Sequence, residues 1–152
     1  MKEKNLSNKR TTKVFNAVFQ NIHAYILVID KNLIVQKTNF YQRTNKVDDG
    51  KEKRVGDLLC CQNAIISGRC GTHKRCQDCV INGTITRAFN RKQSFSEIKA
   101  TLTLSTEPDN YMQVEAIVSG SYIDMENEES MVVTIHNITN LMTNKRENER
   151  LN

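Results

Sequence analysis

The sequence has no tryptophan, a single proline and only six glycines among its 152 residues. This scarcity excludes collagen-like chains and proline-rich low-complexity segments. Long hydrophobic runs are also absent, because the apolar run that ends at Ile29 is far shorter than the roughly 20 residues that a membrane-spanning helix needs. The polar N-terminus has no hydrophobic segment behind it that could act as a signal peptide. We therefore expect a cytoplasmic protein without a membrane partner.

The charge of the chain is strongly polarised. Its 22 basic and 17 acidic residues give a formal net charge of +5, but residues 1–99 hold 19 of the basic groups and only 8 of the acidic ones. Residues 100–140 hold seven acids and neither lysine nor arginine. The basic residues near the N-terminus are not interleaved with aromatic side chains, as sites for single-stranded nucleic acid require. We therefore expect no nucleic-acid partner, although the net charge alone suggests one.

All five cysteines fall in the short segment 60–79, where a reducing cytoplasm favours metal binding or redox chemistry over a disulfide framework. Four have the spacing Cys61-x8-Cys70-x5-Cys76-x2-Cys79, and Cys60 is adjacent to the first. A Cys-x-x-Cys pair in a tight turn can bind one ion, and two sulfurs from a nearby loop complete a tetrahedral site. Thiolates are soft ligands that favour zinc or an iron–sulfur cluster over magnesium or calcium. The spacing predicts a metal site formed by these four cysteines.

Other interpretations of this segment stay open. Cys60, or His73 within the segment, could serve as a ligand in place of one of the four. Cys76 and Cys79, or the vicinal pair, could instead form a thiol–disulfide switch, and the cysteines could also be unligated side chains that pack as small hydrophobes. A small ligand bound in an apolar cavity leaves no sequence motif and stays open as well. Covalent haem is excluded, because Val80 and not a histidine follows Cys79.

Hydrophobic periodicity predicts an α+β fold. An amphipathic helix is followed by two strand-like segments around a turn at 30–32, a helical region that includes the cysteines, and three further strand-like segments. Because no helical crossover separates the last three, they should form an antiparallel meander. We predict a five-stranded antiparallel sheet with helices on one face. The strand-like segments are 24–29, 33–36, 95–104, 111–122 and 131–135.

The first helix carries an apolar face with two interpretations. Its apolar residues recur at the spacing of one side of an amphipathic helix. The face consists of Val14, Phe15, Val18, Phe19 and Ile22. It either joins the core of the domain or packs against a second subunit.

The order of these elements resembles that of PAS sensor domains. The first helix leads into "YILVID", a turn and "LIVQKTN", as in many PAS domains, with Asp30 closing the first strand. The segment 136–139, His-Asn-Ile-Thr, is similar to the Asp-Ile-Thr signature that ends PAS cores, with Asn137 in place of the aspartate. The segment "VGDLLCCQNAIISGRCGTHKRCQDCVINGTI" is similar to a cysteine-bearing subgroup attached to bacterial sensor histidine kinases.

The resemblance implies a sensory domain at residues 12–138, after a flexible basic arm at 1–11 and before the start of an output helix at 139–152. It implies a homodimer that senses redox state, metal or a small ligand near Cys61–Cys79, and that passes the change to its C-terminal helix. The target is a sensor kinase output domain or another signalling partner, and the domain itself is not an enzyme. The alternative is a zinc-stabilised structural module that mediates protein association without sensing.

Overall fold

The computed structural model describes residues 2–21, 24–39, 52–107 and 110–137. Helices and strands follow one another there in the predicted order. They are α1 (Lys2–Asn21), β1 (Tyr25–Asp30), β2 (Val35–Thr38), α2 (Val55–Leu59), α3 (Gln62–Ser67), a 3₁₀ turn (Lys74–Asp78), α4 (Val80–Arg91), β3 (Phe95–Glu107), β4 (Asn110–Met125) and β5 (Glu128–Asn137). The segment 139–152, predicted as an output helix, lies outside the described residues.

The five strands form one antiparallel sheet in the order β2-β1-β5-β4-β3. The predicted α+β class and five-stranded sheet are therefore confirmed. The sequence predicts a turn over 124–129, but the strands extend into this segment and leave only Glu126 and Asn127 between them. Both residues have positive φ angles, 53° and 65°, as in the two-residue turns that match the twist of paired strands. Because β4 and β5 continue up to this turn, Asp124 of β4 lies opposite Glu129 of β5 in the register of the two strands.

The hydrophobic core lies between one face of the sheet and the helices α2 and α4. Alternate residues of a strand point to the same face, which explains the alternating burial of Met131, Val133 and Ile135 in β5 and of Leu27 and Ile29 in β1, where Ile26 is buried as well. Helix α4 contributes residues at helical spacing, from Ile81 through Ile85 to Phe89. The side chains without solvent exposure in this core are Leu27, Ile29, Ile85, Met131 and Val133. The core thus joins the middle of the sheet to the helix that begins directly after Cys79.

One buried polar side chain, Asn39, fixes the start of the sheet. Its Oδ1 accepts a hydrogen bond from the Ile26 N–H at 2.8 Å, and its Nδ2 donates to the Ala24 carbonyl at 2.9 Å. A buried amide is stable only when such bonds satisfy it. Asn39 therefore ties the end of β2 to the start of β1.

Helix α1 lies outside this core. Its side chains from Lys9 to Val18 are exposed, and Val14, Phe15 and Val18 are 49–58% exposed. The Lys37 ammonium group lies 5.2 Å above the centre of the Phe15 ring, a cation–π contact with β2. The interpretation of this face as core is therefore wrong for these three side chains.

The ends of α1 concern two predictions, the boundary of the N-terminal arm and the extent of the apolar face. The helix begins at Lys2, so the predicted boundary between a flexible arm and the domain, at residue 11, falls inside α1. The segment 2–10 contains neither proline nor glycine, and nothing in its composition interrupts a helix. The side chains of Phe19 and Ile22 lie outside the described residues. None of the helices described is long and apolar enough to cross a membrane.

Candidate cysteine site

Four cysteines from three separate segments line a single cavity, which we call the four-cysteine cavity. Cys61 precedes α3, Cys70 lies in the loop after α3, Cys76 lies in the 3₁₀ turn, and Cys79 precedes α4. The cavity has a volume of about 40 Å³. These are the four residues predicted as metal ligands, and the fold brings them to one place.

The rest of the cavity wall is mainly apolar. It lies between α2, α3, the start of α4 and the strand β3. The apolar lining residues are Val55, Leu59, Ala64, Ile81, Leu102 and Leu104, and two amides, Asn63 and Asn82, are also present. Thiolates in such a wall meet few competing water molecules, so a ligand bound there lies in a low-dielectric environment.

The backbone around Cys60 explains why only one of the vicinal cysteines lines the cavity. Cys60 ends α2 in the left-handed conformation, with φ 60° and ψ 45°, which reverses the chain. Its carbonyl accepts a hydrogen bond from the Ser105 N–H of β3 at 2.8 Å, and Cys61 pairs with Leu104 in an isolated bridge. The Cys61 N–H donates to the Gly56 carbonyl at 2.9 Å. Cys61 therefore contributes to the cavity wall, whereas Cys60, a further candidate ligand, does not.

The position of Cys70 is set by the carboxylate of Asp57. Asp57 Oδ1 accepts a hydrogen bond from the Cys70 N–H at 2.6 Å, and Oδ2 accepts one from the Arg54 N–H at 3.1 Å. One side chain thus joins the start of α2 to the loop after α3. A Cβ added at Gly56 would lie 2.8 Å from Cys70 Sγ, which is too close for any side chain there. The absence of a side chain at Gly56 therefore leaves the space that the Cys70 sulfur occupies.

The Cys-x-x-Cys pair lies in the tight turn that its spacing predicts. His73 Nδ1 accepts a hydrogen bond from the Arg75 N–H at 3.1 Å and so caps the 3₁₀ turn. The Cys76 N–H donates to the His73 carbonyl at 2.9 Å, and the Cys79 N–H donates to the Cys76 carbonyl at 3.2 Å. The Cys79 carbonyl accepts the Gly83 N–H at 2.9 Å and starts the hydrogen bonding of α4. His73, a candidate substitute ligand, acts here as a cap and is not part of the cavity wall.

The positive charge of Arg54 acts on the Cys70 thiol, but the spacing of the cysteines does not predict that Arg54 lies near it. Arg69, Lys74 and Arg75, which lie among the cysteines in the sequence, are exposed. Arg54 is half-buried, and its guanidinium packs so closely on Gly71 that a Cβ there would lie 2.6 Å from Nη1. Its Nε atom is buried and has no hydrogen-bond acceptor among the described residues.

Opposing effects act on the Cys70 thiol. Burial raises its pKa, whereas the backbone hydrogen bond from Gly56 and the positive charge of Arg54 lower it, and Asp57 and Cys76 raise it further. The net result is a raised pKa, so the free thiol stays protonated at neutral pH. A bound metal ion would reverse this balance, because it deprotonates a coordinating thiol outright.

We expect Cys70 to be the slowest thiol to react in reduced, metal-free protein. Its side chain is only 8% exposed and its pKa is raised, so little reactive thiolate is present at pH 7.5. The rate of iodoacetamide labelling should be at least about tenfold lower than at Cys76, read residue by residue by peptide mass spectrometry. Equal rates at Cys70 and Cys76 would contradict the burial described here.

The arrangement of the cysteine thiols limits which metal centre the four-cysteine cavity can hold. The five cysteines form no disulfide, and no three His, Cys, Asp or Glu side chains in the described residues form a group that could hold a metal ion. A zinc ion about 2.3 Å from each of four sulfurs leaves no space for water among them. The four-cysteine cavity, at about 40 Å³, is large enough to hold water. The thiols of the described residues therefore do not converge on the position of a single ion.

Comparison with known proteins identifies the fold. No protein-family model matches the chain, and no curated protein matches it. Solved structures do match. The PAS domain of nitrogen regulation protein NR(II) from Vibrio parahaemolyticus is similar with a TM-score of 0.50 and 14% identity, over 80% of this chain and 95% of that one. The chain has the fold of a PAS domain, as its resemblance predicts.

Two further structures show the extent of this similarity. A chain of the E. coli DhaR(N)–DhaL complex is similar with a TM-score of 0.50 and 12% identity, over 89% of this chain but only 38% of that one. The PAS domain of an HTR-like protein from Haloarcula marismortui gives a TM-score of 0.48 and 14% identity, over 91% of this chain and 100% of that one. The present chain thus spans well under half of the DhaR–DhaL match.

Proposed function

We propose that the protein is a signal-sensing domain whose stimulus acts on the four-cysteine cavity. The observation that carries the proposal is that Cys61, Cys70, Cys76 and Cys79 line one cavity. These residues come from three segments of the chain, so their meeting is a property of the fold and not of sequence spacing alone. Cysteines that serve only as small hydrophobes have no need to share a cavity.

An iron–sulfur cluster fits the four-cysteine cavity better than a zinc ion does. Both bind four thiolates, but the thiolates around a cluster lie farther apart than those around one ion, and the described cysteines do not group around a single ion position. Cys61, Cys70, Cys76 and Cys79 would hold it, and the Gly56 N–H would stabilise the Cys70 sulfur, as hydrogen bonds to sulfur do around such clusters. When bound, a cluster supplies sensitivity to redox state and to oxygen.

The position of Cys79 gives the stimulus access to the core. Cys79 immediately precedes α4, which packs on the sheet through Ile85 and Phe89. The Phe89 ring meets the Tyr122 ring of β4 edge to face, with centroids 6.2 Å apart. A change at Cys79 therefore shifts α4 against the strand that pairs with β5. We further propose that the signal leaves through the segment after β5 and reaches a kinase output domain or another partner. In this proposal the sensing domain described here is not itself an enzyme.

The direct test is metal analysis of protein that was never exposed to air. Anaerobic protein, reconstituted with ferrous iron and sulfide, should be brown, contain both elements, and lose its colour in air. A colourless protein with one zinc ion, removable only by unfolding, would favour the zinc-stabilised structural module instead. Protein that binds neither metal and has five freely titratable thiols would contradict both metal proposals and leave a thiol switch or a small ligand.

We also propose that the exposed face of α1 joins two copies of the domain. The face contains Val14, Phe15 and Val18, which α1 presents to solvent in the single chain, and burying such side chains is favourable. Val18→Glu should weaken the dimer at least about tenfold, because it places a charge in an apolar contact. Asn16→Glu, an exposed position on the opposite side of α1, is the control. Light scattering that finds a monomer for the unaltered protein, or equal dimers for both variants, would contradict this proposal.

A further inference from the structure

We propose that the side-chain amides of Asn63 and Asn82 donate hydrogen bonds to the sulfurs of an iron–sulfur cluster in the four-cysteine cavity and thereby raise its reduction potential. The cluster is that of the proposed function, on which this inference rests. Apart from the cysteines, these two residues are the only ones with a side-chain hydrogen-bond donor among the described residues that line the cavity.

Each amide follows one of the cavity cysteines at the start of a helix. Asn63 is the second residue of α3, which begins directly after Cys61. Asn82 is the third residue of α4, which begins directly after Cys79. Because the first turn of a helix fixes the position of such neighbours, each amide belongs to the same rigid segment as a proposed ligand.

Neither side-chain amide has a hydrogen-bond partner in the part of the chain that the structure describes. The backbone carbonyl of Asn63 accepts a bond from the Ser67 hydroxyl at 2.6 Å, but no bond reaches its side chain. The buried amide of Asn39, in contrast, makes two hydrogen bonds. Asn63 and Asn82 are half-buried beside apolar side chains, where a polar group without a partner is costly in free energy. Their donors are therefore matched to a group that fills the cavity.

The chemistry of these donors favours a cluster as the acceptor. An asparagine Nδ2 carries two N–H donors. A cluster presents inorganic sulfides in addition to the cysteine sulfurs, whereas a zinc ion adds no acceptor of its own. Two amides that need an acceptor beyond the thiolates are therefore better satisfied by a cluster.

Hydrogen bonds to the sulfurs change the reduction potential in a definite direction. On reduction an electron from an external one-electron donor enters the cluster, and no bond of the chain forms or breaks. The sulfurs become more negative, so N–H donors stabilise the reduced state more than the oxidised one. The apolar wall strengthens the effect, because a hydrogen bond is stronger in a low-dielectric environment.

Replacement of the amides tests this contribution. Asn82→Leu keeps a side chain branched at Cγ but has no donor. It should shift the reduction equilibrium of the reconstituted cluster at least about fivefold toward the oxidised state, which lowers the midpoint potential by about 40 mV. Asn63→Leu should act in the same direction, and Asn82→Gln, which keeps the amide, should restore most of the potential. Anaerobic reductive titration followed by visible absorbance measures each midpoint.

Asn90→Leu is the matched control. Asn90 is the same residue type in the same helix as Asn82, but it is exposed and does not line the four-cysteine cavity. Its replacement should change the reduction equilibrium less than about twofold.

Metal-free, reduced protein provides a second readout for Asn82. Because the side chain makes no hydrogen bond among the described residues, Asn82→Leu should leave the melting temperature of this protein unchanged or raise it. A purely structural role of the amide predicts a lower melting temperature and an unchanged midpoint potential. That result would overturn the inference.

The outcomes distinguish this inference from the proposed function. If the unaltered protein takes up no iron and sulfide, the proposed cluster is wrong and the role of the two amides falls with it. If the protein loads a cluster but Asn63→Leu and Asn82→Leu have the midpoint potential of Asn90→Leu, the inference is wrong and the proposed function stands. A lower potential in both variants that Asn82→Gln restores and Asn90→Leu does not share supports the inference.

Discussion

Cys79→Ser protein should fold as the unaltered protein does, yet retain less than about a tenth of its iron after anaerobic reconstitution. The substitution removes one of the four thiols of the cavity. It also places serine at the residue that precedes α4, where serine is among the preferred N-cap residues. The start of the helix is therefore kept or improved, and a loss of iron cannot be attributed to a loss of α4. Iron and sulfide analysis, with far-ultraviolet circular dichroism on the same sample, measures both quantities.

Cys60→Ser is the matched control for this experiment. Cys60 is adjacent to Cys61 in sequence and is half-exposed like Cys79, but its side chain does not line the four-cysteine cavity. We expect it to retain iron within about twofold of the unaltered protein. Equal iron in Cys79→Ser and unaltered protein, or an equal loss in Cys60→Ser and Cys79→Ser, would contradict the assignment of the ligands.

Ile85→Ala should lower the free energy of unfolding by about 3 kcal/mol, the typical cost of removing a fully buried branched side chain. Ile85 has no solvent exposure and lies on the face of α4 that packs on the sheet. For a domain of this size the expected decrease in melting temperature is about 10 °C. Thermal and urea unfolding of metal-free, reduced protein would measure it.

Ile66→Ala provides the comparison for Ile85→Ala. Ile66 is the same residue type, also in a helix, but it is 62% exposed in α3. Its replacement should change the free energy of unfolding by no more than about 0.5 kcal/mol. Similar effects at the two positions would mean that α4 does not pack on the sheet as described.

The fold follows closely from local patterns in the sequence. The alternation in β4 and β5 and the helical spacing in α4 each arise from burial on one side of an element, so they are visible in the residues themselves. The apolar face of α1 shows the limit of this reasoning. Val14, Phe15 and Val18 have the same spacing whether a sheet of the same chain or a second chain covers them, and only their exposure in the structure separates the two.

The cavity could be predicted in part. The spacing of the four cysteines indicated a common site, but it could not distinguish Cys61 from Cys60, because the difference depends on the left-handed backbone at Cys60. Arg54 was not predictable from the cysteine segment either. It is placed beside Cys70 by a bridge to the distant residue Ile34 and by the nearby Asp57 carboxylate, which also accepts the N–H of the distant Cys70. Such long-range placement leaves no local signal.

The hydrogen bond from the Ser105 N–H to the Cys60 carbonyl has a consequence for solubility. β3 is an outer strand of the sheet, and the unpaired edge of an outer strand is a template for pairing with another chain. The Cys60–Cys61 segment occupies part of that edge through Ser105 and Leu104. Any event that disorders the cysteine segment therefore also uncovers backbone donors and acceptors of β3, so protein with this segment disordered should aggregate along this edge before the core itself unfolds.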